Sequence, residues 1–246
     1  MCQFLSALLF QNGRIICDPE HTDSHSDLIL ANNLKGDESL FIRSWIRVEF
    51  YPDNSTDITN PEKYQLHVDE TSTPDWFDKA KHFETSEILR DKIKRMIIAD
   101  VEIPLLLGGC WILEDKANVH AIRNSRILSM RDSSRVGAML ESSRVGEMRD
   151  SSQVGMILES SRVGMMWGSS RVGEMRDSSQ VGMILESSRV GMMWDSSRVG
   201  EMRDSSRVGE MWGSSRVGTM RDSSRVGEMW GSSRVGNDKR KKATNQ

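Results

Sequence analysis

The chain has 246 residues with a formal net charge of −3, and its composition changes near residue 123. All Pro, Phe, Tyr, Cys and His residues lie before that point, whereas most Met and Gly residues follow it. No apolar run approaches the ~18 residues of a membrane span, so a membrane protein is excluded. Three cysteines are too few for a disulfide scaffold, and the first residues lack the features of a secretory signal. We expect a cytoplasmic protein.

The first 123 residues predict a small α+β domain. Asn12-Gly13 lies between two apolar runs, which is typical of a β-hairpin. The other expected elements are a short helix near 27–34, paired strands at 45–51 and 64–69, and a helix that Thr85 or Ser86 caps and that ends near residue 99. We expect this domain, 1–123, to cap the repeat region that follows.

Twelve nine-residue units follow, on the pattern S-S-[RQ]-V-G-x-[MI]-x-x, after a degenerate unit at 124–132. Residues 147–167 and 174–194 are the same 21-residue string, and 202–218 recur at 220–236. Recent duplication explains this identity. We assign 124–236 to the repeat region and 237–246 to a basic tail.

A period of nine excludes the simple repetitive structures. A straight α-helix would turn 900° per unit, which would send successive Val residues to opposite faces. Each Gly would also destabilise such a helix by ~1 kcal/mol. A straight strand also fails, because its side-chain period is two. We therefore predict a β-solenoid in which Gly and Ser-Ser form the corners and Ser, Val and Met point inward.

The spacing of the Trp residues suggests two units per coil. Trp194, Trp212 and Trp230 are 18 residues apart, and the repeat region then forms about six coils, roughly 30 Å long. An outward Arg precedes nearly every Val, and we expect these arginines to face the acids that follow Gly. Those acids are Glu147, Glu174, Glu201, Glu210 and Glu228. The fold class is mainly β.

A resemblance covers the whole chain. The segments MCQFLSALLFQNGRIICDPEHTDSHSDLI, IRVEFYP, YQLHVDE with TPDWF, and GGCWIL leading into the nonapeptides resemble uncharacterised proteins of phages and bacteria. Those proteins join a small N-terminal domain to S-S-x-V-G-x-M repeats. The resemblance implies a phage or prophage origin and supplies no activity or catalytic residue.

Two features of the first domain could carry chemistry. Cys17, His21, Asp23, His25 and Asp27 have spacings that could wrap a metal ion. The alternative is a polar loop that caps a helix, which we favour, and we expect no cofactor. Cys2 would become an N-terminal nucleophile if Met1 were removed, but a buried hairpin cysteine is the simpler interpretation.

Two sets of repeated side chains are candidate binding residues. The first is a Trp column at Trp167, Trp194, Trp212 and Trp230, which could form an aromatic strip or pack over the corners. The second is an Arg column, with the tail 239–242, which could follow phosphates. The Arg column consists of Arg135, Arg144, Arg162, Arg171, Arg189, Arg198, Arg207, Arg216, Arg225 and Arg234.

The sequence favours a non-enzymatic scaffold, because catalysis needs unique residues whereas a multivalent binder gains avidity from copies. A protein partner is expected through the solenoid surface, with contacts at the Trp residues and at Arg198, Arg207, Arg216 and Arg225. Two alternatives stay open: an enzyme or metal-binding activity in 1–123 with the solenoid as a stalk, and nucleic-acid binding. We expect no membrane partner, and copies could associate through the solenoid ends.

Overall fold

The computed structural model describes residues 5–34 and 44–240, which form two compact units, Met1–Ile97 and Ile98–Gln246. The protein is mainly β: a small α+β part is followed by a parallel β-solenoid of about eight turns. Within the described ranges, no helix is long and apolar enough to cross a membrane.

The first unit is an antiparallel sheet with two helices. The strand order is β2-β1-β3-β4. The elements are β1 Leu5–Phe10, β2 Ile15–Ile16, α1 His25–Ala31, β3 Trp45–Pro52, β4 Tyr64–Val68 and α2 Lys79–Met96, with short 3-10 helices at Ser55–Asp57 and Pro61–Lys63. The predicted hairpin and paired strands are confirmed, and Gly13 has the positive φ, 87°, that the hairpin turn requires.

The predicted start of α2 is wrong. Asp78 caps this helix by accepting a hydrogen bond from the Lys81 backbone N–H, at 2.8 Å. Thr85 and Ser86 lie inside the helix, where each hydroxyl donates to the backbone carbonyl four residues earlier. Ser and Thr can make this local bond within a helix as well as at its start, which is why they misled the sequence-based assignment.

The second unit stacks its strands alternately into two parallel sheets. The eight-stranded sheet has the order β20-β18-β16-β14-β12-β10-β8-β6, and the nine-stranded sheet β21-β19-β17-β15-β13-β11-β9-β7-β5. The strands are β5 Ile97–Ala99, β6 Glu102–Leu107, β7 Cys110–Glu114, β8 Asn118–Arg123, β9 Arg126–Met130, β10 Arg135–Leu140, β11 Arg144–Met148, β12 Gln153–Ile157, β13 Arg162–Met166, β14 Arg171–Met175, β15 Gln180–Ile184, β16 Arg189–Met193, β17 Arg198–Met202, β18 Arg207–Met211, β19 Arg216–Met220, β20 Arg225–Met229 and β21 Arg234–Asp238.

Residues pair in register with those 18 positions away, as in Val190 with Val208, so the prediction of two units per turn is confirmed.

The solenoid begins before the repeat does. The second compact unit starts at Ile98, and β6, β7 and β8 belong to its two sheets. Composition alone puts the boundary at 123, because the first turns of the solenoid do not follow the repeat sequence. Their inward positions hold residues such as Ile103, Leu106 and Ile122 in place of the Val and Met of the repeat.

In every unit before the C-terminal end, three residues fill the core between the sheets. In a central unit these are Ser188, Val190 and Met193, which are at most 1 % exposed. Arg189 and Gly191 face outward between them. The predicted inward set of Ser, Val and Met therefore matches the structure, and the stacked apolar side chains form one continuous core from Ile98 to Met220.

The repeated Gly lies within each strand and not at the corner, contrary to prediction. A Cβ atom on Gly191 would lie 2.5 Å from the carbonyl oxygen of Gly173 in the neighbouring turn, and one on Gly209 would lie 2.6 Å from that of Gly191. The adjacent backbones therefore leave no space for a side chain.

The residue before Ser-Ser forms the corner instead. It adopts positive φ, for example 54° at Asp195 and 64° at Gly213. The side chain of an acidic corner residue then accepts a hydrogen bond from the turn before: Asp195 Oδ2 lies 3.3 Å from the backbone nitrogen of Asp177. The corner acids thus stabilise the backbone of adjacent turns.

The stack is open at its C-terminal end in the described part of the chain. Met229 and Trp230 are 42 % and 48 % exposed, whereas Met211, the equivalent of Met229 one turn earlier, is fully buried. Association of copies through this end stays a prediction.

The buried serine column offers a test of core polarity. Ser206 is fully buried and its hydroxyl has no hydrogen-bond partner in the structure. Because a buried hydroxyl without a partner costs about 1 kcal/mol or more, Ser206→Ala is expected to stabilise the solenoid by about 1 kcal/mol. Urea unfolding followed by circular dichroism measures this, with the exposed Ser205→Ala as control. A clear loss of stability in Ser206→Ala would contradict the expectation.

Candidate functional site

The arginines that precede Val form two columns on opposite sheets. Successive units alternate between the sheets, so one predicted column becomes two. The eight-stranded sheet carries Arg135, Gln153, Arg171, Arg189, Arg207 and Arg225 in register. The nine-stranded sheet carries Arg126, Arg144, Arg162, Gln180, Arg198, Arg216 and Arg234. Of the four predicted contact arginines, Arg207 and Arg225 therefore share one face, and Arg198 and Arg216 share the other.

The acids that follow Gly do not pair with these columns. Glu174 binds Arg176, two residues later, at 2.8 Å. Glu201 likewise binds Arg203 at 3.0 Å and Arg221 of the next turn at 2.5 Å. The hydrogen bond from Arg203 contributes most to holding the pKa of Glu201 below its ordinary value. The predicted pairing of the acids with the arginines before Val is wrong, because the side chain two residues after each acid, Arg or Trp, is its partner instead.

Four arginines of the eight-stranded face are exposed and form no ion pair within the described ranges. On the eight-stranded face, Arg171, Arg189, Arg207 and Arg225 occupy four consecutive turns. Each is exposed, and across the described ranges none has a carboxylate oxygen within 4.0 Å. We call these four residues the arginine ladder. Strand spacing places its members ~4.8 Å apart along the sheet.

The tryptophans divide between the two corners. Trp194, Trp212 and Trp230 follow strands of the eight-stranded sheet and stack with ring centroids 5.2 and 5.4 Å apart. Trp167 follows β13 of the nine-stranded sheet and therefore lies at the other corner. The stacking covers both faces of the Trp212 ring and one face each of the Trp194 and Trp230 rings. A binding role for the Trp column stays a prediction.

Whether an indole nitrogen has a hydrogen-bond partner depends on the residue that follows Gly in the same unit. Trp212 Nε1 donates to Glu210 at 2.9 Å, and Trp230 Nε1 lies 3.3 Å from Glu228. The corresponding residues for Trp167 and Trp194 are methionines, and both indole nitrogens are buried without a hydrogen-bond partner. This supports the alternative interpretation, in which Trp packs over the corner.

The stack gives a spectroscopic prediction. Trp212→Leu removes both stacked contacts, each worth about 1 kcal/mol, and is expected to abolish exciton coupling between indoles in circular dichroism. Trp230→Leu should remove only one contact and keep part of the signal. Trp167→Leu is the control, since this ring lies at the other corner. Equal signal loss in Trp212→Leu and Trp167→Leu would contradict the stack.

Several candidate metal ligands of the first loop have other partners. His21 pairs with Asp18, with Nδ1 2.9 Å from the carboxylate, and this hydrogen bond is the main cause of the raised pKa of His21. Ser24 caps α1, and Thr22 donates to Asp27. The structure does not group His21, Asp23 and His25 as ligands within the described residues. Cys2 lies outside the described residues, as do 241 and 242 of the basic tail.

A different cluster includes His25. Its ligand atoms and those of Glu49 and Asp69 all lie within 4.8 Å of one another. His25 begins α1, Glu49 lies on β3 and Asp69 follows β4. Sequence reasoning missed the two acids because more than 20 residues separate them from His25, and a single acid on the polar side of a strand is not distinctive.

Comparison with protein-family models, with curated proteins and with solved structures gives no significant match.

Proposed function

We propose that this protein is a non-enzymatic repeat scaffold that binds a partner along the repeated surface of its solenoid. The arginine ladder supports the proposal, because four consecutive turns present an exposed guanidinium group without an ion pair. The resemblance of the sequence to repeat proteins of phages supports a phage or prophage origin. An extended acidic segment of a protein partner fits the ladder best, since copies of one weak contact on a rigid rod add to high avidity.

The chain itself supplies a conservative substitution for testing the ladder. Gln153 and Gln180 occupy the same positions in the two columns, so glutamine is compatible with the fold there. The test variant replaces all four ladder arginines by glutamine. The control variant, Arg203→Gln with Arg221→Gln, removes guanidinium groups that already pair with Glu201.

Both variants and the wild-type chain serve as baits in a nuclease-treated bacterial lysate. We expect the wild type and the control to retain the same proteins and the ladder variant to lose them. Circular dichroism checks that each bait is folded. Retention of the same proteins by the ladder variant would overturn the proposal, as would an equal loss in both variants.

Nucleic acid is the second candidate partner, and the same unpaired arginines favour it. Each phosphate contact with a single strand contributes about 0.7 to the slope of log affinity against log salt. If the strand follows the ladder, the four-fold glutamine variant should lower that slope by about 3. Fluorescence anisotropy with labelled single-stranded DNA measures the slope. An unchanged slope would exclude the ladder as its site. In the described part of the tail, Arg240 already pairs with Asp238, with Nε 2.8 Å from Oδ1.

A further inference from the structure

The geometry points to a divalent metal site at His25, Glu49 and Asp69, in the N-terminal unit and independent of binding by the solenoid. Three separate elements bring these side chains together: the first residue of α1, the middle of β3 and the residue after β4. Antiparallel pairing of β3 with β4 places Glu49 opposite His67, two residues before Asp69. The ligand atoms therefore converge through the fold and not through a flexible loop.

The histidine is oriented as a ligand. Its Nε2 lies 2.9 Å from the backbone carbonyl of Val48 and donates to it, which leaves the Nδ1 lone pair as the free donor atom. Metal-bound histidines characteristically use one ring nitrogen in this way to fix the other. The His25 side chain is only 9 % exposed, and its Nδ1 lies 3.2 Å from Asp69 Oδ2.

Among the described residues, the second carboxylate, that of Glu49, has no partner that would explain its position, whereas Asp69 lies beside His25. Glu49 is half-buried and, within the described residues, makes no side-chain hydrogen bond or ion pair. Two ionised carboxylates close to each other repel unless a positive charge lies between them. A divalent ion bound by both carboxylates and by neutral His25 gives a group with no net charge.

The donor set indicates the class of ion. One imidazole nitrogen and two carboxylate oxygens suit a first-row transition ion such as Zn²⁺ or Mn²⁺ better than Ca²⁺, which prefers oxygen ligands alone. The side chain of Asp69 is 50 % exposed, so one side of the cluster is open to solvent. Three protein ligands with an open position are the arrangement of a site that also holds water or a substrate group.

The test is calorimetric titration of the full chain with Zn²⁺ and with Mn²⁺ after treatment with a chelator. We expect one ion per chain and an affinity at least about tenfold lower in His25→Gln, Glu49→Gln and Asp69→Asn. His25→Gln retains a donor for the Val48 carbonyl, and Asp69→Asn keeps the shape of the side chain. His21→Gln is the matched control, because it removes a histidine that pairs with one carboxylate only.

Thermal unfolding with and without metal gives a second measurement. Zn²⁺ or Mn²⁺ should raise the melting temperature of the wild type and of His21→Gln, but not that of Asp69→Asn. Absence of binding to the wild type would overturn the proposal and leave a His25–Asp69 ion pair. Binding that survives in Glu49→Gln and Asp69→Asn, or that is lost in His21→Gln, would also overturn it and place the ion elsewhere.

Discussion

Replacing Met193 by alanine is expected to destabilise the solenoid by about 3 kcal/mol. This side chain is fully buried, and its column contacts the turns before and after through Met175 and Met211. A cavity at this position cannot close easily, because strand pairing fixes the distance between adjacent turns. Urea unfolding followed by circular dichroism measures the change.

The adjacent residue supplies the control. Met192 is 36 % exposed and follows the outward Gly191, so Met192→Ala should change the stability by less than about 0.5 kcal/mol. Two neighbouring residues of one type then differ several-fold in effect. Similar losses for the two variants would show that this strand does not face the core as described.

Gly191→Ala is expected to cost about 3 kcal/mol or more, although it adds one methyl group. The new Cβ would lie 2.5 Å from the carbonyl oxygen of Gly173, and that oxygen belongs to the backbone of a paired strand. The turns must separate locally to accept it, which is the costly form of overpacking. Thermal unfolding of the full chain should show a lower midpoint for the solenoid transition.

A substitution at a corner glycine is expected to have a much smaller effect than one at the strand glycine. Gly213 has a positive φ of 64°, and Asp195 adopts 54° at the same corner one turn earlier. A Cβ on Gly213 would lie 3.1 Å from the Asp195 backbone nitrogen, which is tight but farther than the 2.5 Å at Gly191. Gly213→Asp should therefore lower the free energy of unfolding by only about 1 kcal/mol. If Gly213→Asp were as harmful as Gly191→Ala, the corner would tolerate Asp no better than the strand tolerates Ala, which would contradict this assignment of the corner.

The solenoid was predictable because its period excludes the alternatives. Nine residues fit neither a helix nor a straight strand, and Trp residues 18 apart gave the two-sided turn. Its inward residues followed from the pattern, since Val190 and Met193 are the apolar positions of their unit. The role of Gly did not follow, because close approach between turns is a property of the stacked backbones. The corner did carry a signal, since the position before Ser-Ser contains only Asp, Glu and Gly in the twelve units.

The candidate sites were less predictable. Pairing of Glu174 with Arg176 and of Glu210 with Trp212 depends on distances that a repeat pattern does not contain. These two acids lie on the same sheet as the arginine ladder, and their pairing elsewhere leaves the ladder without a carboxylate partner. The metal cluster combines three elements that are distant in the sequence. The sequence analysis wrongly placed Trp167 in one column with Trp194. The two residues are 27 positions, or three units, apart, and because successive units alternate between the sheets, an odd number of units places them at opposite corners.

The two identical 21-residue strings have a consequence for how this protein changes length. They begin 27 residues apart, so Gln153 of the first lies on the eight-stranded sheet and Gln180 of the second on the nine-stranded sheet. The inward residues of this string are therefore buried on either of the two sheets. Gain or loss of one unit preserves every inward position, but it moves all later outward side chains to the opposite face. Gain or loss of two units preserves the inward positions and also keeps each later outward side chain on its own face. Unequal recombination can thus rearrange the surface of the rod without redesigning its interior.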